Sequence, residues 1–331
     1  MKLPYPSVVA ASLCFMIAAL PSSAQSKVEA IDLVELFEKL GGKHPGFRKA
    51  HARGVCGAGV FTPDTSKQTL RHFTDAKLLS QGELPVAFRF SLGGADPNGD
   101  ERTPGTRGAG IQISLPDGSK HIFTGNNFPV FAGKDPETFF GFLSTFLPTH
   151  SGVPDPSKTA EFIKNNPSVL PHVMWQKSAE TPASYGNTAF FGLHTFYYNN
   201  PKNDKTKFRW HLQPELGVKT LNKKEAETKK TAFLATRLAE QLAVQEVSFS
   251  LNVSIGQEKD SDIDPSNQWP DDRTIVSLGK ITVNQSGGDA CKNTNFDPNM
   301  LSTGFEPSAD PVLRMRSAAY AISFGKRLGN Q

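Results

Sequence analysis

Apolar and polar residues alternate at Val247, Phe249, Leu251 and Val253, the two-residue period of a half-buried strand. Runs rich in β-branched and aromatic residues predict further strands at 55–61, 85–92, 108–115, 120–124, 188–198, 206–212 and 273–283, with the alternating run itself covering 244–255. Pro116-Asp117-Gly118 supplies a hairpin turn between the third and fourth of these. Helical periodicity interrupts the strands. IDLVELFEKL (31–40) is amphipathic and stops at Gly41-Gly42, a charged helix covers 222–243, and 135–183 is helical and irregular with many prolines. The run DPVLRMRSAAYAISFGKRL (310–328) closes the chain as a helix, free of Pro and Gly across MRSAAYAISF. Two groups of four strands with helices inserted and appended predict an α+β fold. Its centre is a closed eight-stranded antiparallel β-barrel rather than a parallel sheet.

The first residues form a different pattern. One lysine (Lys2), an apolar run from Val8 to Leu20, and small residues at Ser22 and Ala24 predict a secretory signal peptide, residues 1–24, cleaved after Ala24. That leaves a single domain over 25–331, delivered to the periplasm or secreted. The apolar run is short for a membrane span, and no later segment approaches that length, so no membrane association is expected after cleavage. The formal net charge of +4 loses only Lys2 with the leader. A balance this mild argues against nucleic acid as a partner. Cys14 also leaves with the leader, and two remaining cysteines in a long chain are no disulfide framework. Cys56 therefore reads as a small buried core residue rather than one half of a bridge to Cys291.

Candidate chemistry gathers at several points. At about 100° per residue, Arg316, Tyr320 and Arg327 fall within about 40° of one another on the C-terminal helix. A guanidinium one turn from a phenol stabilises the phenolate, a hard anionic ligand for ferric iron. The same residues also suit a core tyrosine between two snorkelling arginines. In GFRKAHARGVCGAGVF (46–61), His51 is followed by small residues and glycines that can line a tight, flat cavity. A neutral imidazole there can take a proton from one peroxide oxygen and return it to the other; taken alone, it equally suits a structural histidine. In GNNFPVF (125–131), Asn126 can aim an amide at a small polar ligand or simply hold a turn. Arg48, Arg89 and Arg327 call for anionic partners, and Arg89, between apolar neighbours in AFRFSL, reads as turned inward.

Taken in order, RKAHARGVCGAGVF, RFS, GTRGAG, GNNFPVF and RSAAY followed by RLG resemble the motifs of the catalase superfamily. GLHTFYY and KFRWHLQPELGVKTL look like that family's middle barrel strands, so the resemblance covers roughly residues 42 to 329. It implies a haem b cofactor (iron protoporphyrin), with Tyr320 as the axial ligand of the iron and Arg316 as its phenolate partner. It further implies His51 and Asn126 as the distal catalytic pair and Ser91 as the support of His51. Arg48, Arg89 and Arg327 match the residues that bind the haem propionates, and Phe139 the ring that stacks on the haem. Ala50 stands where catalases carry a bulkier valine. The length, the leader and the missing outer arms look like the catalase-related peroxidases, exported single-domain relatives of catalase.

The function this implies is reduction of organic peroxides and hydrogen peroxide by an exogenous small organic electron donor, with at most weak catalase activity. Two alternatives stay open: an exported haem-binding carrier without turnover, and a haem isomerase acting on fatty-acid hydroperoxides. A carrier has no need of both His51 and Asn126, so the pair favours an enzyme. Oligomeric state is left open.

Overall fold

The computed structural model describes residues 1, 28–200 and 205–330. The expected signal peptide therefore lies outside the described residues. Helix α1 (Ala30–Gly41) opens the fold with a reciprocal cap between Glu29 and Asp32, followed by strand β1 (Gly54–Pro63) and two short helices, α2 (Lys67–His72) and α3 (Lys77–Ser80). Strands β2 (Leu84–Leu92), β3 (Arg107–Ser114) and β4 (Lys120–Asn126) form a meander. The proline-rich middle folds as α4 (Pro136–Ser144), α5 (Pro156–Asn165) and α6 (Leu170–Ser178), the first two begun by Asp-Pro caps.

The run expected as one strand over 188–198 is broken in two. Short strands β5 (Thr181–Pro182) and β6 (Phe190–Phe191) precede β7 (Phe196–Asn199), and Leu193 between the last two is left-handed at φ 49°. Strand β8 (Lys205–Pro214) follows, then β9 (Thr220–Leu221). The charged segment over 222–243 likewise forms two helices rather than one, α7 (Lys223–Glu227) and α8 (Leu234–Leu242). Strands β10 (Val247–Ile255), β11 (Ile275–Ser286) and β12 (Phe305–Pro307) lead to the long helix α9 (Pro311–Leu328).

The sheet runs β10-β11-β1-β2-β3-β4-β6-β8 and closes where β8 pairs with β10, all antiparallel. This is the closed eight-stranded barrel expected; β7 and β12 extend one edge beyond β8. Phe88 and Phe90 of β2 fill the interior, where Phe90 lies 5.4 Å from both Tyr185 and Phe190 between ring centres. The two-residue period then turns Arg89 and Ser91 to the outer face. Arg89 thus enters the protein interior, but not the interior of the barrel. Helix α9 faces the outer side of β2–β3–β4 across a cavity, and α1 packs against α9.

Residues 56 and 291 correct the expected pair of free thiols. They form a disulfide with a Cα–Cα distance of 5.4 Å. The register explains it: β1 pairs with β11 at Gly57 and Ser286, and the chain leaving β11 folds back so that Gly287 N–H donates to Cys56 O at 2.7 Å. Contact through register, not sequence spacing, brings the sulfurs together.

Candidate active site

Two adjoining cavities lie between the outer face of β2–β3–β4 and helices α1 and α9. One is a narrow slot of about 130 Å³, the other a vestibule of about 600 Å³, and they share Phe37, Ala50, His51, Asn126, Arg316, Ala319 and Tyr320. Register builds the floor of the slot. One cross-strand row reads Gly54–Ser91–Gly108–Asn126, the next Cys56–Arg89–Gly110–Thr124. All three glycines of these rows are required, and a Cβ on Gly54 would collide with Phe90 O. A Cβ on Gly108 would sit 2.7 Å from His51 Nδ1 and 2.8 Å from Ser91 Oγ, and one on Gly110 would sit 2.7 Å from the Phe296 ring. The missing side chains leave a flat surface on which an imidazole can lie.

His51 is held in the left-handed region, φ 55°, a conformation a non-glycine residue keeps only when its neighbours impose it. On one side, Lys49 N–H donates to Ser323 Oγ of α9 at 3.1 Å, and Lys49 Nζ lies 3.2 Å from buried Glu38 of α1. Glu38 also accepts from Lys326 of α9 at 2.7 Å. On the other side, Ala52 N–H donates to Gly94 O at 3.0 Å. Burial, followed by repulsion from Arg89, Arg316 and Arg48, lowers the His51 pKa to about 3. The imidazole is therefore neutral over the physiological range. Ser91 Oγ lies 3.1 Å from its Nδ1 and 3.5 Å from Gly108 O. With the hydroxyl donating to that carbonyl, Nδ1–H donates to Ser91 and Nε2 is left as a proton acceptor.

The opposing wall is α9. Arg316 Nη2 donates to Tyr320 Oη at 2.9 Å, and its guanidinium carbon stands 5.4 Å from the phenol ring centre. The helix start is fixed by Asp310, whose carboxylate accepts from Val312 N–H at 2.8 Å and Leu313 N–H at 3.2 Å. Its second oxygen lies 2.6 Å from Nδ1 of fully buried His194.

Three more guanidiniums line the slot. Arg48 donates to Thr294 O at 2.9 Å, Arg89 to Ala52 O at 3.0 Å, and Nη2 of Arg327 is buried without a hydrogen-bond partner among the described residues. Burial, then repulsion from Arg89 and Arg327, lowers the Arg48 pKa to about 9; burial first, with Arg327 adding repulsion, lowers that of Arg89 to about 10. No carboxylate among the described residues offsets these cations. Guanidiniums remain charged at neutral pH, so the cluster is built to receive anions.

The two asparagines of GNNFPVF separate in role. Asn126 faces both cavities, whereas Asn127 Oδ1 accepts from Arg107 N–H at 2.7 Å and its amide donates to Gly105 O at 3.2 Å. Phe139, on α4, lies 4.5 Å from Phe131 between ring centres and lines the vestibule but not the slot. The other eight predicted residues, Arg48, His51, Arg89, Ser91, Asn126, Arg316, Tyr320 and Arg327, all line the slot. Sequence reasoning missed the Glu38–Lys49–Lys326 ion network, the His194–Asp310 pair, and Phe296, which closes the slot opposite Gly110. An Asp-Pro start was readable at Asp310 as a helix cap, but nothing local pointed to His194. The three guanidiniums fit a group that carries carboxylates, and the Tyr320 oxygen facing the same slot can bind a metal ion.

Comparison with known proteins agrees. The family model described as catalase matches residues 22–331. A catalase-related peroxidase of Synechococcus elongatus is 34% identical over 290 residues, spanning 86% of this chain and 85% of that protein. One from Mycolicibacterium paratuberculosis is 32% identical, spanning 91% of this chain and 94% of that protein. Among solved structures, a fungal catalase superposes with a TM-score of 0.76 at 24% identity, covering 87% of this chain and 60% of the catalase. Catalase A from Saccharomyces cerevisiae also gives 0.76, at 23% identity, covering 90% of this chain and 64% of the catalase. At those identities the two structures speak to the fold alone. The chain belongs to the catalase family.

Proposed function

We propose that this chain is an exported haem b peroxidase that reduces organic peroxides and hydrogen peroxide with a small organic electron donor, and that it has at most weak catalase activity. The observation that carries this reading is the pairing of His51–Ser91 with Arg316–Tyr320 across one cavity, whose edge holds three half-buried guanidiniums without carboxylate partners among the described residues. The names of its two catalase-related peroxidase relatives support the same chemistry.

Arg48, Arg89 and Arg327 would hold the haem carboxylates by charge-assisted hydrogen bonds, and Tyr320 would bind the iron through its phenol oxygen. Phe139 would pack against the haem from α4. When bound, haem supplies the redox-active iron at which a peroxide accepts two electrons. The chain's own residues do the rest. Nε2 of His51 takes the proton from one peroxide oxygen and delivers it to the other, so that the departing oxygen leaves as water or alcohol. Ser91 keeps the imidazole in the tautomer that can do this. Asn126 orients the peroxide beside it, and Arg316 fixes the Tyr320 oxygen by donating a hydrogen bond to it. Ala50, which lines both cavities beside His51, leaves room there, which favours a donor or a peroxide larger than hydrogen peroxide.

The leader sequence supports export to the periplasm or beyond, with residues 25–331 as one mature domain; the Cys56–Cys291 bridge suits an oxidising compartment. The test is to purify the mature chain with haem, record its visible spectrum, and follow peroxide loss with and without an aromatic donor. Peroxide loss driven by the donor supports the reading. A haem-bound protein that consumes no peroxide would instead be a carrier.

A further inference from the structure

The three tryptophans of the chain differ sharply in access. Trp210 is 2% exposed and Trp269 7%. Trp175, on α6, is partly exposed, and its inner edge touches two rings. Its centre lies 5.2 Å from Phe128 and 5.6 Å from His172, which are themselves 4.6 Å apart. Both of these rings line the vestibule that contains His51, Asn126 and Tyr320. Phe128 is also only two residues beyond Asn126. A cluster of three aromatic rings in mutual contact thus runs from the protein surface to the wall of the vestibule.

The helix that carries the indole also exposes apolar side chains. Leu170 and Met174, one helical turn apart on α6, are 46% and 56% exposed. An indole is among the most easily oxidised side chains. Tyr197, also partly exposed, contacts no other ring among the described residues, so no ring leads from it toward the vestibule. His172 lies against the indole as a neutral ring, because burial lowers its pKa, and so adds no opposing charge.

We propose that Trp175 is a second, surface site of one-electron oxidation, serving aromatic or protein donors too large to enter the vestibule. The proposal rests on the peroxidase reading. For each hydroperoxide reduced to alcohol and water, two electrons and two protons are consumed. At this site each electron leaves the Trp175 indole for the oxidised haem pocket, and a docked donor returns one electron to the indole. Two donor molecules are oxidised by one electron each, solvent supplies the protons, and Trp175 ends unchanged. Without a donor, an indole that loses two electrons takes an oxygen from water and releases two protons, leaving hydroxytryptophan.

The test uses the haem-loaded mature protein, its Trp175→Phe variant, and two donors: guaiacol, which is small, and ferrocytochrome c, which cannot enter, in salt that screens surface charge. Ferrocytochrome c oxidation is expected to fall at least about tenfold in the variant, with guaiacol oxidation held within about twofold. Independently of turnover, peptide mass spectrometry after peroxide addition without donor is expected to find oxygen added at Trp175. Equal ferrocytochrome c rates in the two proteins, or oxygen added at Trp210, Trp269 or Tyr197 in place of Trp175, would overturn the proposal. A wild type that oxidises guaiacol but not ferrocytochrome c rejects this site alone, whereas one that oxidises neither rejects the peroxidase reading with it.

Discussion

Ser91 Oγ lies 3.1 Å from Nδ1 of His51, and Gly108, beside both, has no side chain to push them apart. The contact joins a left-handed loop residue to a strand and selects the imidazole nitrogen that stays free to accept a proton. Replacing His51 with Ala is expected to leave haem binding intact and to slow peroxide consumption by about a hundredfold or more. Asn126→Ala should cost less, since it orients the peroxide without moving protons. Gly108→Ala should imitate the loss of His51, because a methyl there displaces the ring. Stopped-flow mixing with peroxide measures all three, and wild-type rates in His51→Ala would remove His51 from the proton path.

Tyr320→Phe is expected to lose haem or bind it far more weakly, since it removes the one phenol oxygen facing the pocket from α9. Arg316→Leu should keep haem but change its visible spectrum, because the hydroxyl of Tyr320 loses its donor. An unchanged ferric spectrum in Tyr320→Phe would show that another group binds the iron.

The bridge between Cys56 and Cys291 makes a separate prediction. Thiol titration of the unfolded, unreduced mature chain should find no free thiol. The Cys56→Ser, Cys291→Ser pair should lose about 2–4 kcal/mol of stability in urea unfolding. It should also weaken haem retention, because the bridge anchors the loop whose Thr294 carbonyl accepts from Arg48. Two titratable thiols would refute the bridge.

These outcomes bear on how much a sequence discloses. The strands and the C-terminal helix were legible because alternation and helical period are local. The residues of the slot were legible because they stand in motifs whose order matches a family. What escaped depends on register or on partners far along the chain. Leu193 breaks one predicted strand by turning left-handed. Cys291 reaches Cys56 across 235 residues. Glu38 meets Lys49 and Lys326 only once α1 has packed on α9. Arg89 looked inward from its neighbours, but a barrel strand buried on both faces offers two interiors, and local alternation does not choose between them.

Acid sensitivity follows from the histidines. His51 and His121 have pKa values lowered from 6.5 to about 3, by burial above all. Between those values the unfolded chain binds more protons than the folded one. Their contribution to stability is therefore full above pH 6.5 and is lost as the pH falls toward 3. Each contributes a slope of up to about 1.4 kcal/mol per pH unit inside the window. Urea unfolding at several pH values should show this slope, reduced by about one proton in His51→Asn. An identical slope in the variant would contradict a neutral buried His51.

Directing peroxide toward a donor rather than toward a second peroxide is the expected behaviour of the pocket. Its most direct test is to mix the haem-loaded mature protein with hydrogen peroxide, with and without an aromatic donor, while an oxygen electrode and donor absorbance are read together. Rapid donor oxidation and only slow oxygen release are expected. Vigorous oxygen release with no donor oxidation would contradict this and show a true catalase.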